Sequence, residues 1–280
     1  MKTQEVVVSF MADCRLRGLS RKTLMGYNQH TQKLIELSRK FPPKPDVIQQ
    51  FLATLTPHNA DAHYRTFRAA DNYAHRRFKT RNFMKSVTRP RVPRQIMPTI
   101  TELDLNLLAT YLQDAPLRDR AILAMFIDTA IRKGEACNLK FNDIKTDRII
   151  IHGKTGYRIA PISETARDML LSLPRYDDGY VFHGRLGKPL SETGFYQIVK
   201  RYLRRIGYSS DKQFGPQLLR RSFGVFHLRD GGDLKSLSLI LGHSSITTTA
   251  NYYTPLLTQD VIEIHHKHTP GKVFEEGVIW

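Results

Sequence analysis

The chain has 280 residues, enough for one domain of ordinary size together with a smaller one. Lys and Arg number 43 against 26 Asp and Glu, and the net charge of +17 favours a polyanionic partner such as nucleic acid. No apolar segment reaches the roughly 20 residues of a transmembrane helix, and the polar first residues do not resemble a signal peptide, so we expect a soluble, cytoplasmic protein with no membrane contact.

The positive charge is concentrated near the amino terminus. Residues 1–97 hold 19 basic and 6 acidic side chains, and therefore 13 of the 17 net charges. This excess suits the phosphate backbone of a nucleic acid. On charge alone, a ribosomal protein or a protein that binds a membrane surface fits equally well.

The first part of the chain predicts a helical bundle with a basic surface. Gly18 and Ser20 interrupt the helical pattern, and Asp46 can cap the third helix. Between these breaks, apolar residues recur at helical spacing while Lys and Arg occupy the other positions. The predicted helices cover residues 5–17, 22–39, 47–55 and 59–78, within a domain at residues 1–87.

The segment that follows, TRPRVPRQIMPTIT at residues 88–101, contains three prolines and three arginines. Proline lacks a backbone N–H, so neither a helix nor a packed strand is expected here. We interpret residues 88–100 as a linker between two domains. An extended arm of the second domain is the alternative, and in both interpretations the charge favours contact with a phosphate backbone.

Residues 101–280 predict a second domain. Residues 148–152 and 157–162 flank the turn sequence Gly-Lys-Thr-Gly in the pattern of a β-hairpin, and residues 179–182 are a candidate third strand. Helices are predicted at 102–112, 116–129, 133–139, 193–206, 217–229, 234–241 and 247–253. The expected fold class is mainly α: a small basic helical bundle, then a mixed, mostly α domain with a small antiparallel β-sheet.

Two arginines have the chemistry of a phosphate clamp. Breaking a phosphodiester without a metal ion needs cations around the non-bridging oxygens, an in-line nucleophile and a proton donor for the leaving oxygen. Arg132, in AIRKGE at 130–135, and Arg220, in QLLR at 217–220, offer planar guanidiniums that bind phosphate through two N–H groups. Taken alone, either arginine is more often a surface or ion-paired residue.

The other candidates lie in the hairpin and near the end of the chain. Lys154 is at the predicted hairpin tip, where its ammonium can reach a leaving oxygen or a DNA groove, or remain in water. His243 follows a helix-ending glycine, where a structural hydrogen bond is the simpler interpretation. Tyr252 and Tyr253 are adjacent, and a phenol with a pKa of about 10 needs a base or a cationic pocket to become a nucleophile.

Taken in order, the segments AIRKGE, GKTGY, QLLR and LGHSSITTTANYY resemble the tyrosine recombinase, or phage integrase, family. The resemblance covers nearly the whole chain. It implies that Arg132 and Arg220 hold the scissile phosphate and that Lys154 is the general acid. It further implies that His243 donates a hydrogen bond to the phosphate and that Glu135 buttresses the site.

The family pattern also bears on the nucleophile. The usual spacing of nine residues from the histidine implies Tyr252, whereas the Tyr-Thr pair of many members favours Tyr253. We prefer Tyr252, because spacing constrains geometry more directly than a neighbouring residue does.

One position departs from the family pattern. Gln217 lies three residues before the second arginine, where most members have His or Lys. A neutral amide can hydrogen-bond to a phosphate oxygen, but it cannot accept the proton of the tyrosine as an imidazole could. Gln217 is therefore a candidate phosphate-binding residue whose presence implies a slower reaction or another proton acceptor.

The resemblance implies a site-specific DNA recombinase or integrase that cuts and rejoins DNA through a 3′-phosphotyrosyl intermediate, without a cofactor or metal. The domains would be a DNA-binding core-binding domain at 1–87 and a catalytic domain at 101–280. Double-stranded DNA at specific attachment sites, a homotetramer on paired sites and accessory DNA-bending proteins are the implied partners. Residues 273–280 would dock on a neighbouring protomer, and the histidines at 265, 266 and 268 would form a solvated tail rather than a metal site.

Two other classes of function stay open. A type IB topoisomerase shares much of the implied chemistry but relaxes supercoils without pairing sites. A DNA-binding regulator related to recombinases would retain the basic bundle and lose cleavage, and Gln217 is the residue that favours this alternative.

Overall fold

The computed structural model describes residues 1–93, 98–153, 156–184, 186–208 and 214–254, together with His265 and Thr269. The chain divides into two units, Met1–Gln95 and Ile96–Trp280. The described residues are mostly helical and include a two-stranded antiparallel sheet, which confirms the expected fold class. Among them, no helix is both long enough and apolar enough to cross a membrane.

The described part of the first unit is a bundle of four α-helices. Gly18, with a φ of +68°, follows the first helix, and the Ser20 hydroxyl caps the second by accepting the N–H of Thr23. Pro45 and Pro57 begin the third and fourth helices, where a missing N–H costs no hydrogen bond. The helices are α1 Thr3–Leu16, α2 Arg21–Leu37, α3 Pro45–Ala53 and α4 Pro57–Phe78, and a 3-10 turn follows at Phe83–Ser86.

Apolar side chains hold this bundle together. Phe10, Leu34 and Phe67 are buried, and the Phe10 ring stacks on Tyr27 with centroids 5.5 Å apart. Burial of each such side chain is worth about 1.5–3 kcal/mol. Every arginine that the structure describes in this unit is exposed, so the surface of the bundle is cationic.

The second unit packs its helices around one large apolar core. Leu108, Phe126 and Phe195 are fully buried, and the Phe195 ring meets the rings of Phe126 and Phe182 edge to face. The helices are α5 Glu102–Leu112, α6 Leu117–Thr129, α7 Lys133–Ala136, α8 Glu164–Leu171, α9 Glu192–Arg205, α10 Pro216–Arg229, α11 Leu234–Leu241 and α12 Ile246–Tyr253.

The hairpin consists of β1 Arg148–Gly153 and β2 Gly156–Pro161. Ile149 pairs with Ala160 and Ile151 pairs with Arg158, and the two isoleucines and the alanine are buried. Because alternate residues of a strand share a face, Arg158 lies on the inward face of β2. Tyr157 is on the opposite face and is 74% exposed.

The sequence-based expectations fail at four places. Asp46, expected to cap the third helix, lies in its first turn, and Lys44 is at the cap position. The third strand at 179–182 is wrong: in the described residues this segment forms one isolated bridge, between Tyr180 and Lys140. It contacts the loop after α7 instead of the hairpin. Helix α8, which the Ser163 hydroxyl caps, was not expected. Helix α7 ends at residue 136 rather than 139.

The boundary between the two units falls inside the predicted linker at 88–100. Residues 88–93 and 98–100 form neither helix nor strand, and residues 94–97 lie outside the described part of the chain. Ile100 is already anchored in the second unit, where its N–H donates to the Ser222 hydroxyl at 2.9 Å.

Candidate active site

Arg220 lies at the centre of the second unit's candidate site. It projects from α10 and is only 3% exposed. One terminal nitrogen, Nη1, donates to the carbonyl of Ala130, and the other, Nη2, donates to the carbonyl of Leu241. Burial and the neighbouring guanidiniums of Arg132 and Arg158 lower the pKa of Arg220 to about 9, so the side chain keeps its charge at neutral pH.

Arg132 approaches the same place from the chain that follows α6. Ala130 adopts a left-handed conformation, with a φ of +49°, and turns the chain so that Arg132 precedes α7. The Arg132 Nη1 donates to Glu135 Oε1 at 2.8 Å, and its Nη2 donates to the carbonyl of Gly242 at 3.2 Å. Its side chain is 41% exposed, so this guanidinium can reach a bound anion.

Glu135 links two of the cations. Its Oε2 accepts from Arg158 Nη2 at 2.7 Å and from the backbone N–H of Arg132 at 2.9 Å. Burial of Glu135 raises its pKa, but the hydrogen bond and charge of Arg158, followed by the bonds from Arg132, hold the pKa below its usual value. The carboxylate is therefore ionised at neutral pH.

Arg158 was not among the sequence-predicted site residues. Its Nη1 donates to the carbonyl of Ile240, and its Nη2 reaches Glu135. The alternation of residues along β2 does not indicate that Arg158 points inward, because it favours the apolar neighbours Tyr157 and Ile159 as the inward residues. In the structure those two residues are exposed, and Arg158 takes the inward face.

His243 begins the segment after α11. Gly242 ends that helix in a left-handed conformation, with a φ of +61°, and His243 Nδ1 shares a hydrogen bond of 2.7 Å with the buried Thr249 hydroxyl. Burial and the charges of Arg220, Arg132 and Arg158 lower the pKa of His243 to about 4. At neutral pH the imidazole is uncharged and can donate one N–H.

The two adjacent tyrosines of α12 have different surroundings. Tyr253 is 2% exposed, and its ring lies so close to Gly224 that a Cβ there would come within 2.2 Å of it. Burial raises the pKa of Tyr253 to about 12, although the charge of Arg220 acts in the opposite direction. Tyr252 is partly exposed, and its ring centroid lies 5.1 Å from that of Tyr253.

Gln217 and Arg132 line a common cavity. Gln217 is exposed in the first turn of α10, and the cavity has a volume of about 500 Å³. Its lining also contains His152, whose Nε2 lies 3.0 Å from Asp143 Oδ1. The cavity is large enough for a phosphate group, and its lining contains Lys133 and the acidic residues Glu135 and Glu192 as well as Gln217 and Arg132.

Some predicted positions lie outside the described residues. These are Lys154, two of the three tail histidines, at 266 and 268, and the docking segment 273–280. The hairpin strands are described up to Gly153 and from Gly156. The structure brings together Arg132, Arg220 and His243 with the buttress Glu135; Gln217 shares a cavity with Arg132, and the tyrosine pair lies beside Arg220 through Tyr253.

This arrangement has the chemistry of an anion site. Guanidiniums are fixed by hydrogen bonds before any ligand arrives, and a neutral imidazole adds a further donor. A phosphodiester, whose single negative charge is shared by two non-bridging oxygens, is the kind of group that such donors bind.

Comparisons with known proteins identify relatives of this chain. The model of the phage integrase family matches residues 98–259. Tyrosine recombinase XerC of Xanthomonas campestris pv. campestris (strain B100) is 32% identical over 190 residues, which cover 65% of this chain and 58% of that protein. XerC of Thermodesulfovibrio yellowstonii is 27% identical over 302 residues, which cover 96% of this chain and 97% of that protein. The chain therefore spans 58% of the length of the Xanthomonas relative.

Solved structures share the fold. A crystal structure of XerA recombinase is 22% identical with a TM-score of 0.55, covering 95% of this chain and 99% of that one. A lambda integrase dimer bound to a COC′ core site is 17% identical with a TM-score of 0.75, covering 90% of this chain and 95% of that one. Because the family model matches more than half of the residues, the chain belongs to the phage integrase family, the tyrosine recombinases.

Proposed function

We propose that this protein is a site-specific DNA recombinase that cuts and rejoins DNA through a 3′-phosphotyrosyl intermediate. The observation that carries the proposal is the convergence of Arg132, Arg220 and His243 on the end of α11, immediately before the helix that bears the tyrosine pair. The named relatives, which are tyrosine recombinases, support it.

In the proposed reaction, the cations hold the phosphate before the attack. Arg132 and Arg220 donate to the non-bridging oxygens of the scissile phosphate, and the amide of Gln217 adds a hydrogen bond from the cavity wall. His243, neutral because of its lowered pKa, donates its N–H as negative charge builds up on the phosphorane. These donors act without reorganisation, because their side chains are already hydrogen-bonded in place.

Tyr252 is the proposed nucleophile. Its oxygen forms a bond to phosphorus, the bond between phosphorus and the 5′-oxygen breaks, and the Lys154 ammonium protonates the leaving oxygen. The phenol proton passes to water, because the Gln217 amide cannot accept it. Attack by a 5′-hydroxyl then reverses these steps, with the bond energy retained in the phosphotyrosyl link.

Partial exposure favours Tyr252 over Tyr253 as this nucleophile. Tyr253 is buried with a pKa of about 12, and its ring would have to leave the core in order to meet DNA. One observation favours Tyr253: its phenol lies close enough to Arg220 for the two charges to interact. Both Tyr252→Phe and Tyr253→Phe are therefore compared with wild type in covalent trapping.

The proposed partner is double-stranded DNA at specific attachment sites. The exposed arginines of the first unit would contact the phosphate backbone, and the second unit would carry out the chemistry. A lambda integrase tetramer has been solved on a Holliday junction, and we propose a homotetramer on paired sites for this chain as well. Accessory DNA-bending proteins and a cytoplasmic location complete the proposal.

Covalent trapping tests the proposal. A site is first selected by binding from a random duplex library and is then prepared with a nick next to each candidate cleavage position, so that the cut end diffuses away. Wild type and Tyr253→Phe should form an adduct that survives denaturation, and Tyr252→Phe should form none. The absence of an adduct on a site that wild type binds would contradict the proposal and favour a DNA-binding regulator.

The topoisomerase alternative is separated by a second assay with the same site. A recombinase exchanges strands between two DNA molecules that each carry the site. Relaxation of a supercoiled plasmid that lacks the site, without any strand exchange, would identify a topoisomerase instead.

A further inference from the structure

Three arginines from three different elements bind consecutive carbonyls at the end of α11. Arg158 donates to Ile240, Arg220 to Leu241, and Arg132 to Gly242. The last carbonyls of a helix have no partner within the helix, and this end carries partial negative charge. The helix end therefore orients three guanidiniums, and the guanidiniums in turn hold the helix end, which continues directly into His243.

Arg158 has a different position from the other two arginines. Its side chain is only 13% exposed, and its two terminal nitrogens are bound to the carbonyl of Ile240 and to Glu135. Its Nε is buried and has no hydrogen-bond partner among the described residues. Arg158 therefore ties the β-hairpin both to Glu135 and to the end of α11.

Gly242 makes room for this arrangement. A Cβ at Gly242 would come within 2.3 Å of the Cδ of Arg158, and the φ of +61° at this glycine disfavours any other residue. The aliphatic part of Arg158 therefore lies directly against the backbone that leads to His243.

The contacts of Arg158 reach the segments that carry Arg132 and His243. Through Glu135, which also binds Arg132, it fixes the first arginine. Through the carbonyl of Ile240 it fixes the end of α11 and the following histidine. It also lies on β2, the strand that begins two residues after Lys154.

We infer that Arg158 is a positioning residue of the proposed recombinase: it couples the β-hairpin, Glu135 and the end of α11, so that the phosphate-binding side chains and His243 assume their reactive geometry together. The inference rests on the proposed function. Arg158 does not contact the phosphate in this account, so its loss should reduce the rate of the chemical step rather than DNA binding.

The test compares Arg158→Gln and Arg158→Lys with wild type. The control is Arg148→Gln, because Arg148 belongs to the same hairpin but pairs with Asp147 at the surface. Adduct formation on the selected nicked site is measured in single-turnover conditions, with DNA affinity measured separately. A misplacement of the order of 1 Å costs about 100-fold in rate, so we expect about 100-fold for Arg158→Gln and about 10-fold for Arg158→Lys.

The same variants should bind DNA within about threefold of wild type, and Arg148→Gln should match wild type in both measurements.

A second readout does not depend on activity. The nearby charge of Arg158 helps to lower the pKa of His243, so an NMR titration should show that pKa moving up toward its usual value in Arg158→Gln and not in Arg148→Gln.

The outcomes separate the inference from the proposed function. If wild type forms no adduct, the proposed function fails, and the His243 titration alone decides whether Arg158 controls the site. If wild type forms the adduct and Arg158→Gln does so at the same rate, the inference is overturned. It is also overturned if neither Arg158 variant folds, because the residue would then serve folding only.

Discussion

The two units use their positive charge in opposite ways. In the first unit every described arginine is exposed, as with Arg65, whose side chain is 66% exposed. In the second unit, Arg220 is almost completely buried and donates to two backbone carbonyls. Many exposed charges together attract a polyanion, and salt screens that attraction. Buried charges held by hydrogen bonds instead stabilise one arrangement of a bound anionic group. In the proposed function, the first unit supplies affinity for DNA and the second unit supplies the chemistry.

The largest effect on the rate of adduct formation is expected from a change at Arg220, the buried arginine of the second unit. Replacing Arg220 with Gln should slow adduct formation by about 10³-fold, because one fixed donor to a developing oxyanion is worth about 10²–10³ and two carbonyls also lose their partner. DNA affinity should change little. Arg204→Gln, an exposed change on α9, is the matched control. Equal losses of rate and affinity in Arg220→Gln would contradict the division of roles.

The pH dependence of stability should have opposite signs in the two units. Burial raises the pKa of Asp71, in α4, to about 6, so its contribution is present in acid and is lost as pH rises through 6. The pKa of His243 is lowered to about 4, so its contribution is present above its usual pKa of 6.5 and is lost as pH falls toward 4.

Neutral variants of Asp71 and His243 test these two opposite pH dependences. Asp71→Asn should stabilise the first unit relative to wild type at pH 7.5 and not at pH 4.5, by on the order of 2 kcal/mol. His243→Gln should stabilise the second unit relative to wild type at pH 4.5. Hydrogen exchange of peptides from each unit, along a urea series, provides the measurement. Relative stabilities that do not change between the two pH values would refute these assignments.

One substitution in the second unit should increase the rate of adduct formation. Gln217→His places an imidazole on the wall of the cavity that Arg132 also lines. Since a positioned base contributes 10²–10⁴-fold in favourable cases, we expect adduct formation to become at least about 10-fold faster above the pKa of the new histidine. Gln217→Asn keeps the amide and is the control. A histidine variant no faster than wild type would show that proton transfer does not limit the rate.

The smallest effect is expected on the surface of the first unit. Arg68→Gln, an exposed change on α4, should weaken DNA binding a few-fold and reduce the slope of log affinity against log salt by about one. A matched change at an exposed arginine of the second unit, Arg204→Gln, should leave the slope at its wild-type value. An unchanged slope in Arg68→Gln would remove this face of the bundle from the DNA-binding surface.

The sequence predicted those features that depend on local signals. Gly18 and Ser20 interrupt the helices through their own backbone chemistry, and the Gly-Lys-Thr-Gly turn indicates a hairpin without reference to the remaining chain. Pro45 and Pro57 begin α3 and α4 two residues before the predicted starts. The third strand failed because its hydrogen bonds depend on a distant partner: Val181 donates to Leu139 rather than to the hairpin.

The part of the site that could not be predicted is likewise non-local. Arg158 points inward because Glu135 and the end of α11 meet it there, and neither is a sequence neighbour. The alternation of β2 alone favours Tyr157 and Ile159 as the inward residues. In the same way, spacing favoured Tyr252 over Tyr253 but gave no indication of the burial of Tyr253, which is created by packing against Gly224 on α10.

The most direct test is to identify the tyrosine that carries DNA. The trapped adduct is digested with nuclease and protease, and the peptide that spans residues 252 and 253 is fragmented in a mass spectrometer. A nucleotide attached to Tyr252 is the result expected from its partial exposure and from the burial of Tyr253. A nucleotide attached to Tyr253 would contradict the account, and would mean that α12 leaves the core before the phosphate is attacked.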